Sequence, residues 1–405
     1  MTQPLKLQSV EQTIDRIIEK VGKKIVFCMP LGIGKPNGLI NALYRRVKAD
    51  PTLHLKILTA LSLEKPKGKS DLEQRFLEPL AKRVFEDYLD MDYVLDARKK
   101  SLPPNVELYE FFMKTGDYMN NRPAQEHFLY TNYSHAARDA IIQGANVYAQ
   151  CLGVDESGPT PRYSLSSNPD LTTDVRRIFN EQAGGKPLVM IGLVNRKMPF
   201  MPNDAEVPES TFDILIDDPI GTHAPFAPPN MKVDLQDYAI ALWASTLVRD
   251  GGTLQIGIGS LGDGISHALI TRDKHNSEYR QMLKELQAAT GKALPAEAEL
   301  GRFEQGLYGC SEMFVNGFLR LINAGVVRRE VYDDLALQKL VSEGAIGAEV
   351  TPATLKQLLT AGRIKPQIAA EDVAFLKQYG IFKSEVQWLD GELHVAERKI
   401  GATIG

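Results

Sequence analysis

The sequence predicts an α/β protein built on two open, mainly parallel sheets, and three observations carry that prediction. Strand-like apolar runs alternate with helical patterns from residue 24 onward. The strand-like runs are continuously apolar rather than alternating, as strands covered on both faces are. The turns between them are short, which suits strand-helix-strand units. The 405 residues exceed the ~250–300 that a single core usually supports, so two units are expected.

Residues 2–24 carry Glu11, Asp15 and Glu19 among apolar positions, the pattern of an amphipathic surface helix rather than of a signal or transit peptide. A buried strand follows over 24–29, then the turn Pro30 to Pro36, a helix over 38–47 and a second strand over 54–61. The pattern continues with a helix over 72–88, a strand over 106–108, a helix over 136–143 and strands over 147–152 and 187–194. The stretch 203–230 is rich in Pro and Asp, including Asp217-Asp218-Pro219, and marks a boundary near 220. The expected units are therefore 1–220 and 221–405. The second starts with a helix over 235–248, the turn Asp250-Gly251-Gly252 and a strand over 253–256. Residues 271–304 read as an exposed, charged helical insertion with helices over 278–289 and 296–303. A strand over 306–310 leads to a helix over 313–324 that Gly325 stops. The tail reads as helices over 352–362 and 369–378 and a hairpin turning at Asp390-Gly391.

Lys and Arg number 47 against 51 Asp and Glu, a net charge of −4, so no overall basic field exists to hold nucleic acid or an anionic membrane. Cys28, Cys151 and Cys310 form no disulfide framework and no C-x-x-C pair, which points to a reducing, cytoplasmic setting. No apolar run approaches the ~20 residues that span a bilayer. His127, His135 and His223 lack ligand spacing, so no metal site is expected.

Two segments carry chemistry. Gly257-Ile258-Gly259-Ser260-Leu261-Gly262 follows a strand and opens a helix. It fits a dinucleotide-binding loop as a letter pattern, where glycines let the backbone approach a pyrophosphate, but a charged helical stretch around Glu278 and Glu285 stands where that reading wants an acidic residue closing a second strand, so a plain tight turn is the better reading. In Gly309-Cys310-Ser311-Glu312-Met313-Phe314, Glu312 stands between an apolar strand and an apolar helix. Burial raises the pKa of such a carboxylate and a helix dipole lowers it, which permits an ionised, poorly hydrated nucleophile. A carboxylate that only complements the dipole of its own helix fits the same letters.

Together the two segments, in this order, resemble the acetyl-CoA hydrolase/transferase family, the class I CoA-transferases that include 4-hydroxybutyrate CoA-transferase. The similarity is most specific over 250–327, with Asn316-Gly317 and Ala324-Gly325-Val326-Val327 continuing it; Gly34-Lys35-Pro36 and Val194-Asn195 echo it upstream. The resemblance implies two domains of the CoA-transferase type, a homodimer, and coenzyme A as co-substrate with an acyl-CoA and a carboxylate. It makes Glu312 the nucleophile that forms an acyl anhydride and then a glutamyl-CoA thioester, with Gln255 orienting the acyl group. Gly34, Gly257, Gly259 and Asn195 fall on substrate- or CoA-facing positions. The sequence departs from the family pattern at Cys310, which reads as a buried structural thiol, and at Gly262, where a proline is common. The connector from Gln255 to Glu312 is long, and no Gly-Gly-x-Gly-Gln-x-Asp-Phe segment follows, so the second domain reads as incomplete. Three functions stay open: a CoA-transferase or acyl-CoA hydrolase, a non-catalytic CoA-binding fragment, and an NAD(P)-dependent oxidoreductase resting on the glycine loop.

Overall fold

A computed structural model describes residues 3–166, 169–182, 184, 186–227, 231–311 and 314–404. Its first part runs β1 (Leu5–Leu7), α1 (Val10–Val21), β2 (Lys24–Cys28), α2 (Asn37–Ala49), β3 (His54–Thr59), α3 (Asp71–Phe85), α4 (Asp92–Arg98) and β4 (Val106–Glu110). It continues through α5 (Arg122–Glu126), α6 (Ala136–Ile142), β5 (Val147–Asp155), β6 (Arg162–Ser164), α7 (Thr172–Gln182), β7 (Val189–Val194), β8 (Glu206–Val207) and β9 (Ile214–Ile216). The second part holds α8 (Leu235–Ser245), β10 (Thr253–Gln255), α9 (Ser260–Lys274), α10 (Asn276–Thr290), β11 (Tyr308–Cys310) and α11 (Asn316–Asn323). The tail adds α12 (Leu335–Ser342), α13 (Pro352–Thr360), α14 (Ala370–Gln378), β12 (Gln387–Leu389), β13 (Glu392–Val395) and β14 (Arg398–Ile400).

Nine strands share one sheet in the order β1-β9-β7-β5-β2-β3-β4, all parallel along that path, with β6 and β8 added antiparallel beyond the end of β5. The continuous apolar runs are explained by a core on each face. Along β7, Ile191 and Leu193 join the core that α1, α2 and α4 cover, while Met190 and Val194 join the core under α6 and α7. Successive side chains leave a strand on opposite faces, so a strand buried on both sides has no polar position to spare. The expected α/β class with a large parallel sheet is the observed one. Within the Pro- and Asp-rich stretch the structure adds something not anticipated: Ile214–Ile216 is buried and forms β9, zipped between β1 and β7.

The second sheet is narrow. β10 and β11 pair in parallel, joined by a crossover through α9 and α10, and a third core gathers Ile256, Leu269, Leu307, Phe318 and Leu321 around them. The tail has its own core, centred on Leu358, Leu376 and Leu393, and its hairpin turns at Asp390 and Gly391 with φ of 51° and 82°. Two positive φ values in a two-residue loop match the right-handed twist of the flanking strands. A third strand, β14, extends the hairpin.

Two expectations need correction. Residues 271–304 are not a wholly exposed insertion: Tyr279 and Leu283 of α10 are buried, and the Tyr279 hydroxyl lies 2.8 Å from Ser245 Oγ. Nor are residues 296–303 a helix. Side chains take the backbone groups that a helix would have paired: Arg272 donates to Gly301 O (2.7 Å), Asn276 Nδ2 to Leu300 O (2.8 Å), and Asp273 accepts from Phe303 N (3.0 Å). Arg272 is only 1% exposed; it also donates to Ser245 O and Val248 O and lies over the Phe303 ring. Arg272→Met should therefore leave the buried bond to Ser245 O and the part-buried ones to Val248 O and Gly301 O unmade, and destabilise the second part by roughly 3 kcal/mol. Urea unfolding followed by tryptophan fluorescence, with Trp243 half-buried in α8, measures the loss.

Candidate functional site

The chain leaves β2 toward β3 and β4 on one side of the large sheet, whereas β5, β7 and β9 are added on the other. In open α/β sheets ligands bind beyond the carboxyl ends of strands near such a switch point, because diverging loops leave a crevice there. Here a cleft of 360 Å³ lies at those ends. One wall is Leu31 after β2, Leu61 after β3, Phe111 and Phe112 after β4, with Thr131 and Tyr133. The other wall is Gln255 and the Ile256-Gly257-Ile258 backbone after β10, with Ser311 and Val315 after β11. Five parallel strands thus contribute loops to one crevice.

The first wall is held from beneath by buried charge. Lys35 is 3% exposed, and its ammonium donates to the carbonyls of Leu31, Ala60 (2.7 Å) and Gly32. These carbonyls belong to the loops after β2 and β3, so one side chain ties both. Burial pulls the Lys35 pKa down, and Glu110 and Asp170 offset that only in part. Both carboxyls are themselves buried and pushed up by desolvation. Glu110 accepts from Ser62 N (2.9 Å); Asp170 accepts from Leu31 N (3.0 Å) and from the Tyr133 hydroxyl. Asp170 therefore fixes two cleft-lining residues, while its second oxygen is buried with no hydrogen-bond partner among the described residues. The loop after β2 is pinned on its far side too, where Gly34 O accepts from Cys151 N of β5 (2.8 Å).

The second wall depends on register. Gln255 pairs with Cys310 across the parallel β10–β11 ladder, which brings two distant sequence segments side by side. Asp250 sets this register: its carboxylate accepts from the amides of Glu304, Gln305 and Gly306, each at 2.9 Å, joining the turn before β10 to the segment before β11. Partial burial would raise the Asp250 pKa, but these amide bonds prevail and hold it below the ordinary carboxylate range. Gly259 caps α9 with φ of 136°, a conformation that a Cβ disfavours. A Cβ at Gly257 would meet no atom within 4 Å, so this backbone borders open space.

The residues singled out in the sequence divide as follows. Gln255 and Gly257 line the cleft, and Gly259 follows them at the start of α9. Gly34 is buried in the turn after β2. Asn195 is 1% exposed, and its amide holds a turn: Nδ2 donates to His223 O (3.0 Å) and Oδ1 accepts from Lys197 N (2.9 Å). Glu312 and Met313 lie outside the described residues. Cys310 is exposed rather than buried, because β11 has only one neighbouring strand. Cys28 and Cys151, enclosed in the large sheet, have thiols pushed up to about 12 by burial. The Ser311 hydroxyl donates to Ile256 O (3.2 Å), and the helix expected over 313–324 is α11, Asn316–Asn323, with Val315 at its N-cap. Lys65 and Lys67 are engaged locally with Tyr88 O and Asp90. Among the described residues no group of three or more His, Cys, Asp or Glu could hold a metal ion, and no helix is long and apolar enough to cross a membrane.

Sequence reasoning missed Lys35, Glu110, Asp170, Tyr133 and the Phe111-Phe112 pair. The only available signal was Lys35 itself, a charge between a buried strand and an apolar helix. Glu110 looked like the polar end of a strand, and Asp170 like a loop acid.

The architecture is that of a CoA-transferase-like α/β fold. A solved point variant of RipA matches with a TM-score of 0.50 and 18% identity, covering 80% of this chain and 58% of that one, and at such identity the likeness shows the fold. RipA from Yersinia pestis (TM-score 0.49, 18% identity, 80% of this chain and 59% of that one) is also similar. So is the 4-hydroxybutyrate CoA-transferase of Porphyromonas gingivalis (TM-score 0.44, 18% identity, 80% and 58%). The chain spans less than two thirds of the length of each of these structures. No protein-family profile matches the sequence, and no curated protein sequence matches it.

Asp250→Asn tests the register device. A depressed carboxylate pKa contributes stability above its unfolded value of ~3.9 and loses it as pH falls through the folded value. The variant should lose about 2 kcal/mol at pH 7 and show a flatter acid limb below pH ~4, measured as urea midpoints against pH.

Proposed function

We propose that the chain is a CoA-transferase, or an acyl-CoA hydrolase where water competes, with Glu312 as nucleophile. The observation that carries this reading is the cleft: Gln255 and Ser311, the residue preceding Glu312 in the chain, line one wall of a crevice at the carboxyl ends of five parallel strands. The family resemblance supplies the chemistry. The Glu312 carboxylate attacks the thioester carbonyl, the C–S bond breaks, and CoA leaves as thiolate with the acyl group held as a mixed anhydride. The thiolate then attacks the glutamyl carbonyl, expelling the first carboxylate and leaving a glutamyl-CoA thioester. An acceptor carboxylate attacks that thioester and again frees the thiolate. Attack of the thiolate on the new acyl carbonyl releases the product acyl-CoA and restores Glu312. Water attacking either anhydride gives hydrolysis instead. Dividing one exchange into such steps is what covalent catalysis achieves, and ping-pong kinetics follow.

Gln255 would serve as donor to the thioester oxygen where negative charge develops. It is exposed on the cleft wall and sits at the end of a strand, which limits its backbone freedom. The open backbone at Gly257 leaves room for a bulky substrate. Lys35, Asp170 and Tyr133 would act by positioning the opposite wall. Residues 1–220 and 221–405 would form the two halves of the site, with a homodimer as the working form. Gly34 and Asn195 would act through the turns they hold. The oxidoreductase reading is less well supported, since the acidic residue expected ~20 positions after the glycine loop falls inside α10 rather than at a strand end. A second reading is a chain that binds CoA without turning it over. Calorimetry with CoA separates the two: binding without turnover supports the latter.

Incubation with an acyl-CoA followed by borohydride or hydroxylamine should modify Glu312, seen by peptide mass spectrometry; turnover with Glu312 unmodified overturns the assignment. Glu312→Gln should lower kcat by roughly 10³-fold or more. Gln255→Ala should lower kcat by roughly 10²-fold with a smaller effect on KM, as expected for a donor used mainly in the transition state. Steady-state kinetics on each variant check both.

A further inference from the structure

The cleft offers a bound group apolar surface and almost nothing else. One wall presents Leu31, Leu61, Phe111 and Phe112, and the other presents Ile258 and Val315. Among the described residues no Lys, Arg or His lines it. The hydroxyls along it already give their protons inside the chain: Tyr133 to Asp170, Thr131 to Asp139 and Ser311 to Ile256 O. Lys35, the cation behind the first wall, has its donors spent on backbone carbonyls, and its charged companions are the carboxyls of Glu110 and Asp170. A carboxylate entering the cleft would therefore give up its hydration and meet no free cation, which is a costly way to bury a charge.

The apolar lining is held in place. Leu61 has a φ of 49°, a left-handed conformation that is costly for leucine and persists only where its surroundings fix it. They do so here: Leu61 N donates to Phe112 O (2.7 Å), and the next amide, Ser62 N, donates to Glu110 (2.9 Å). Phe111 meets the Tyr133 ring edge-on, with centroids 5.9 Å apart. At the cleft Phe112 is 51% exposed and Ile258, on the opposite wall, 48%, so an apolar group between them would take both from water.

We propose, resting on the CoA-thioester reading above, that the cleft takes acyl groups apolar to their far end, a chain or ring of about five carbons or more, and rejects those ending in a carboxylate or a hydroxyl. Aromatic acyl groups fall within the class, because the rings of Phe111, Phe112 and Tyr133 offer edges and faces to a further ring.

A competition experiment tests this on the native chain, with deuterated pentanoate as acceptor and an equimolar mixture of CoA thioesters. Mass spectrometry follows the early loss of each and gives relative kcat/KM. Pentanoyl-, 4-hydroxybutyryl- and glutaryl-CoA share one methylene chain and differ only in ending in methyl, hydroxyl or carboxylate. Pentanoyl-CoA should exceed the hydroxyl compound by about tenfold and the carboxylate by roughly 10²-fold or more. Hexanoyl- and phenylacetyl-CoA should at least match it, and propanoyl-CoA should trail by roughly fourfold for each missing methylene. Calorimetry with two unreactive thioethers reads the same preference without turnover: S-pentyl-CoA should bind at least tenfold tighter than S-(4-carboxybutyl)-CoA. Phe112→Arg, with its fold verified by circular dichroism and a melting curve, should narrow the gap between pentanoyl- and glutaryl-CoA at least tenfold. Glutaryl-CoA consumed as readily as pentanoyl-CoA, or a gap unchanged in Phe112→Arg, overturns the acyl preference and leaves the transferase reading standing. Absence of turnover with S-pentyl-CoA still preferred removes the transferase reading and upholds the preference. Equal binding of the two thioethers, or binding of neither, overturns the preference as well.

Discussion

One ammonium group decides the shape of the cleft. Lys35 lies beneath the crevice with its donors spent on backbone carbonyls rather than on a carboxylate, and those carbonyls end the loops after two neighbouring strands. A charge in such surroundings is expensive unless the groups about it are fixed. The surroundings comply: Gly34 is bonded to β5, and Asp170 grips Leu31 and Tyr133. The switch point of a parallel sheet is where strands diverge and backbone would otherwise be loosest. Here it is pinned from several sides. The aromatic and aliphatic wall above it inherits that rigidity.

The opposite wall obtains its order differently. Two short parallel strands would be marginal alone. They hold because Asp250 joins their lead-in segments and because Arg272 and Asp273 fasten the crossover that returns the chain from β10 to β11. The charged residues of this region are thus structural fasteners as well as solvated surface.

The alternation of strand and helix was legible in the sequence because burial on both faces writes continuous apolar runs, as in β5 and β7. Gln255 and Gly257 stood out through the resemblance of the glycine turn to the CoA-transferase family, and the structure places both on the cleft wall. Other features depend on tertiary contacts that leave no local trace. Residues 296–303 carry helix-forming letters, yet their backbone is claimed by Arg272, Asn276 and Asp273 from elsewhere in the chain. β9 is three residues long, too brief for periodicity, and exists only because β1 and β7 leave a slot. No cation adjoins Cys310 in the sequence, which suggests a buried structural thiol; it is exposed because its strand has a partner on one side only. Lys35 and Asp170 are far apart in sequence, and nothing short of the folded sheet shows that both serve the same loop.

The two walls of the cleft draw on different hydrophobic cores, one wrapped around the nine-stranded sheet and the other around β10 and β11. A molecule bound between them touches both bodies and belongs to neither. Its binding energy is therefore linked to their association and to the folding of both cores at once. Occupancy would register as a merging of two unfolding transitions into one, since a ligand that needs both walls penalises any state in which only one is folded.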